Sequence, residues 1–200
     1  MEALNRRDFL KTCGAAWAAA LAARPLTLLA AEASTAPITL NGAQWQIVAA
    51  ICERIVPTVD GIGATSANCV NFIDKALANE EKPALPLYRH GLNELERAAQ
   101  TQWQRGFAAL DEAQQIHCLE QLEDGALPQW QGSADQAQFF ATLRYHTILG
   151  FLAAPKYGGN RDLAGWRLAQ FPGHVHEGGG FSDAQVEGRE PIKILFPHSH

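Results

Sequence analysis

From Asn41 to Leu149 the apolar residues recur three and four places apart, in runs separated by capping residues, glycine and proline. Trp45, Val48, Cys52 and Ile55 make the first face. Asn41 opens it, with Gln44 three places on able to reach back as in a capping box, and Pro57 closes it. Thr58 to Thr65, with Asp60, Gly61 and Gly63, reads as a loop. Ser66 can cap a second helix to about Ala78 along Val70, Ile73 and Leu77. Pro83 and Pro86 then break the chain before a third helix starting near Leu87, with Leu92, Leu95, Ala99 and Trp103 as its stripe and Glu94, Glu96 and Arg97 on its solvated side. Asp111 and Gln114 repeat the cap pattern ahead of Ile116, Leu119 and Leu122, until Gly125 stops the helix. A fifth helix runs from about Asp135 to Leu149, carrying Phe139, Leu143 and Thr147 on one side and a histidine, His146, read as a hydrogen-bonded core residue. No stretch keeps the two-residue alternation of a sheet, and no repeat of solenoid period exists. The expectation is an all-α fold, an irregular bundle of about five helices.

Ahead of this pattern stands a different one. Asn5-Arg6-Arg7-Asp8-Phe9-Leu10-Lys11 precedes an Ala-rich apolar run from Gly14 to Ala31. Paired arginines, Phe9, Leu10 and a moderately apolar region in this register make a twin-arginine export signal. Arg24 and Pro25 interrupt the run, so it reads as a removable signal over residues 1–33 and not as a membrane anchor. Ala31-Glu32-Ala33 offers a small-x-small cleavage site. That route carries folded proteins, which places the chain in the periplasm with its fold completed before transport.

From residue 34 onward the chain holds 12 basic and 18 acidic side chains, with no basic cluster to follow a nucleic-acid backbone. No later apolar segment is long enough to span a bilayer, so attachment to a membrane would come only through partners. Cys52, Cys69 and Cys118 remain after the signal, in an oxidising compartment. Cys52 and Cys69 flank a turn between two expected helices and are the preferred disulfide pair, leaving Cys118 free or bonded to another subunit. No Cys-x-x-Cys or Cys-x-x-Cys-His spacing occurs, which argues against covalent haem, a thioredoxin-like centre and a zinc ribbon within this chain.

The domain reading is residues 1–33 as signal, 34–149 as helical domain and 150–200 as an irregular segment and tail. In the last part, Phe151, Tyr157, Trp166 and Phe171 are too many large apolar groups for a disordered tail, while glycine and proline bar a long helix. Such a segment packs on its own bundle or anchors a partner, where Trp and Tyr carry much of the binding energy. Tyr157-Gly158-Gly159-Asn160 reads as a tight turn that lets another backbone come close.

With the twin-arginine start, Ile55-Val56-Pro57, Phe72-Ile73-Asp74, and above all Tyr157-Gly158-Gly159-Asn160, Gly165-Trp166 and Phe171-Pro172-Gly173, the chain resembles the gluconate 2-dehydrogenase subunit 3 family. These are small subunits of membrane-associated, flavin-dependent sugar and sugar-acid dehydrogenases. The resemblance implies a subunit without catalytic or cofactor-binding residues of its own. It implies as partners a large FAD-carrying subunit of glucose-methanol-choline type, a cytochrome c subunit carrying haem c, and the twin-arginine translocase. On that reading Tyr157, Gly158, Gly159, Asn160, Trp166, Phe171, Pro172 and Gly173 form the partner interface.

Other chemistry is thinly supported. No Gly-x-Gly-x-x-Gly follows an expected strand, and Gly178-Gly179-Gly180 reads as a flexible connection. The alternative is a stand-alone periplasmic metal-binding protein or enzyme that uses His174, His176 and Glu177, with His198 and His200 nearby in sequence.

Overall fold

The computed structural model describes residues 37–132, 134–169, 171 and 182–190. Arg6, Arg7, Phe9 and Leu10 of the export signal lie outside these residues, as do Pro172, Gly173, His174, His176, Glu177 and the terminal histidines. The chain divides at Ala36 and Pro37, and everything described belongs to the second unit.

Among the described residues the fold is all-α, with seven helices: α1 (Gly42–Ile55), α2 (Cys69–Ala78), α3 (Leu85–Trp103), α4 (Glu112–Glu123), α5 (Gln136–Leu152) and the short α6 (Ala164–Leu168) and α7 (Asp183–Val186). The expected capping boxes form at α1, where Asn41 and Gln44 bond reciprocally, and at α4, where Asp111 and Gln114 do the same. Asp135 caps α5 by accepting from the Gln138 amide at 3.0 Å.

α5 is the axis. It packs against α1, α2, α3, α4 and α6, which explains why its sequence is apolar on nearly every side. Around it Val48, Ile51, Ile73, Leu77, Tyr88, Leu92, Leu95, Phe107, Leu122, Phe139 and Leu143 are buried in one core. Each large side chain so removed from water contributes about 2 kcal/mol before the entropy of ordering it is counted.

Several boundaries differ from expectation, each for a local reason. α3 starts at Leu85, because Pro83 and Pro86 occupy the opening turn of a helical segment, where a missing N–H costs nothing. Ser66 does not cap α2. Its hydroxyl accepts from the Gly63 amide and donates back to the Gly63 carbonyl, closing the preceding turn, and α2 begins at Cys69. On α4 the inner face carries Gln115, Cys118, Leu119 and Leu122, while Ile116 points outward. Gln115 earns its place by donating to the carbonyls of Phe107 and Leu110. Glu94, Glu96 and Arg97 are half-buried and tie loops down: Glu96 accepts from the Phe107 amide at 2.8 Å, and Glu94 holds both Arg97 and the Gln131 amide. α5 continues through Gly150 to Leu152, one turn past the expected end.

Candidate partner-docking site

After α5 the chain does not leave the bundle. It folds back through two single 3-10 turns, Pro155–Tyr157 and Arg161–Leu163, into α6. Asn160 holds this hook together. It is fully buried, its amide donates to the Gly150 carbonyl at 2.7 Å, its Nδ2 donates to the Ala153 carbonyl at 3.0 Å, and its Oδ1 accepts from the Gly165 amide at 2.9 Å. The neighbouring glycines are required by contact. A Cβ on Gly159 would lie 2.1 Å from the Gly150 carbonyl oxygen, and one on Gly165 would lie 1.9 Å from that of Phe151. Gly158 has φ +97°, and its carbonyl accepts from Asn71 Nδ2 at 2.6 Å. Trp166 is buried and donates from Nε1 to the Leu152 carbonyl at 2.6 Å, with Phe171 edge-on at 5.0 Å.

The eight residues assigned to an interface by resemblance therefore divide. Gly158, Gly159, Asn160 and Trp166 fasten the hook to its own bundle, whereas Tyr157 and Phe171 keep 50% and 42% of their surface in solvent. Pro172 and Gly173 lie outside the described residues.

Along one side of α5 runs an open groove in two parts that meet at Glu81 and His146. The part beside the hook has a volume of about 470 Å³ and lies between α5 and α2, with Phe72, Ala76, Leu149, Ala153 and Tyr157 as apolar wall. The other, about 610 Å³, lies between α5 and the start of α3, walled by Pro83, Ala84, Leu87, Ala141 and Tyr145. From the Tyr145 wall outward α5 presents Tyr145, Ile148 and Leu152, which are 57%, 43% and 42% exposed and recur at three and four places.

The groove floor is polar at one point. His146 Nδ1 lies 2.9 Å from the Tyr88 hydroxyl, and Nε2 lies 3.6 Å from a Glu81 carboxylate oxygen. Burial holds the imidazole below its ordinary pKa, against the opposing pull of Glu81, and burial keeps the Tyr88 phenol protonated. A neutral ring with its proton on Nε2 satisfies both neighbours, accepting from Tyr88 and facing Glu81. At the hook end Lys75 and Lys156 border the cavity. Lys156 Nζ sits 5.0 Å from the Tyr157 ring centroid.

Cys52 and Cys69 are not bonded to each other. Both are buried free thiols, as is Cys118. Cys52 Sγ turns to Thr147 Oγ1 at 3.3 Å, and burial pushes the Cys52 thiol up to about 12 and Cys69 further. Among the described residues no group of three or more His, Cys, Asp or Glu side chains is placed to hold a metal. Nor is any described helix long and apolar enough to cross a membrane.

Asn71 and Asp74 escaped the sequence reading as anchors. They are polar residues on the inner side of α2, one turn apart, and that misfit was the available signal. Asn71 receives the hook, and the buried Asp74 carboxylate accepts from the amides of Ile38, Thr39 and Leu40 at 2.6, 2.9 and 2.7 Å. One helix thus binds both the entry segment before α1 and the hook after α5.

A family model described as gluconate 2-dehydrogenase subunit 3 matches residues 42–173. The chain belongs to that family. The matched stretch begins with α1 and runs through the hook, so it contains both the groove and the Asn160 knot. Searches of curated proteins and of solved structures return no match.

Proposed function

We propose that this chain is the non-catalytic small subunit of a periplasmic, flavin-dependent complex of the gluconate 2-dehydrogenase type. It binds the large catalytic flavoprotein subunit and escorts it, folded, through the twin-arginine route. The observation that carries the reading is the open side of α5: the central helix of a family named as a subunit still exposes Tyr145, Ile148 and Leu152. Apolar stripes of this kind on a small chain mark an interaction surface. The signal at Arg6 and Arg7 supplies the address. On this reading FAD belongs to the large subunit and haem c to a cytochrome subunit, and the sugar acid is oxidised on the flavoprotein, outside this chain. The complex reaches the inner membrane through its other subunits.

Replacing Arg6 and Arg7 together by lysine tests the escort role. Dye-reducing activity toward a sugar acid is expected to collect in the cytoplasm, with the periplasmic fraction falling by an order of magnitude or more. Undiminished periplasmic activity would show that the flavoprotein travels without this chain.

A further inference from the structure

We infer that the groove along α5 seats one amphipathic helix of the flavoprotein subunit, with apolar anchors along the α5 stripe and a carboxylate held between Lys75 and Lys156. The inference rests on the small-subunit reading and adds the form and chemistry of what is bound.

Length comes first. Groove-lining residues run from Gln138 on α5 to Ala153 at its C-terminal cap, about 23 Å at the helical rise, which is roughly four turns of an occupying helix. Its floor is a seam between helices, and among the described residues there is no strand whose edge could accept an added one. A helix brings its own backbone hydrogen bonds and lays only side chains into such a seam. Residues 191–200 of this chain are a poorer fit, since Pro191 and Pro197 leave five residues between them.

Charge gives the direction. The whole chain has a formal net charge of -5, yet Lys75 and Lys156 border one end of the groove, and among the described residues neither has a carboxylate within ion-pair distance. Glu80 and Glu81 line the middle and repel a second acid there. The occupant therefore carries an acidic residue at the hook end and apolar residues at helical spacing from there toward Gln138. Tyr145 walls the groove, and Ile148 and Leu152 extend the contact beyond its rim, so that the partner's apolar face covers the side of α5 left open by its own bundle.

The test uses the purified complex of the full chain with the flavoprotein subunit. A photoreactive benzoylphenylalanine is placed in turn at Tyr145, Ile148 and Leu152, and cross-links are mapped by mass spectrometry. All three are expected to reach one helix of the flavoprotein subunit. Cross-links to residues 191–200 or to a second copy of this chain would overturn the inference, as would an intact complex that gives none. Lys75→Glu with Lys156→Glu is expected to weaken assembly at least tenfold at low salt, while Glu120→Lys on α4 leaves it unchanged. Equal binding of the two variants would remove the carboxylate. If the wild-type chain retains no flavoprotein at all, the small-subunit reading fails and the inference with it; a retained flavoprotein with misplaced cross-links sinks the inference alone.

Discussion

Asn160 shows how much a single side chain can decide. Its φ of 45° is one that asparagine tolerates better than most residues, and its carboxamide ties Ala153 to Gly165 while its backbone amide reaches Gly150. Alanine at this position leaves the Ala153 carbonyl and the Gly165 amide without partners in a buried place. Asn160→Ala is therefore expected to lower stability by about 2–4 kcal/mol, read in thermal unfolding as a fall of roughly 10 °C. Gly159→Ala, where the added methyl meets the Gly150 oxygen, should cost at least as much. Unchanged melting of both variants would mean that the hook is not fastened through this knot. The tight turn was readable from the Tyr-Gly-Gly-Asn sequence, but its target was not. Nothing in the local sequence states that Asn160 reaches Gly150, Ala153 and Gly165 at once.

At the scale of elements, α5 and α3 are joined at a titratable contact. His146 from α5 meets the Tyr88 hydroxyl of α3, while Glu81, just before α3, faces the other ring nitrogen. Burial depresses the folded-state pKa of His146 below its ordinary value of 6.5. The unfolded chain therefore takes up this proton more readily than the folded one. The contribution of His146 to stability is present above the unfolded pKa and is lost as pH falls through the folded one. In an NMR titration of the folded protein, His146 is expected to take up its proton at a lower pH than an unperturbed histidine does. A normal titration midpoint would disprove its depressed pKa. The histidine was legible as a core residue from its place on an apolar helix. Its two partners were not, because Tyr88 and Glu81 are 58 and 65 residues away. On α4 the signal is nearer in sequence but still outside the helical period: Gln115 is drawn inward by donating to the Phe107 and Leu110 carbonyls, in the turn before the helix, and Ile116 is left outside.

For the whole molecule, the thiols bear on the proposed export. Cys52, Cys69 and Cys118 are buried, and Cys118 too is pushed up, to about 11. Since the thiolate is the reacting form, the native protein at about pH 8 is expected to leave all three unlabelled by iodoacetamide, and unfolding should expose them. Rapid native labelling, or a Cys52–Cys69 bridge in the periplasmic protein, would contradict this arrangement. On the export route proposed above, a chain folded before transport would carry its thiols into an oxidising compartment already covered. The sequence by itself determined the five long helices, the capping boxes of α1 and α4, the all-α class and the family resemblance, because these depend on residues three or four apart and on short contiguous motifs. Only the tertiary structure decided that half of the aromatic segment closes on its own bundle, that Asp74 gathers the amides of residues 38–40, and that one side of α5 stays open beside a groove. Those features depend on contacts between residues far apart in the chain, and on which face of a mostly apolar helix its neighbours leave uncovered, neither of which local periodicity records.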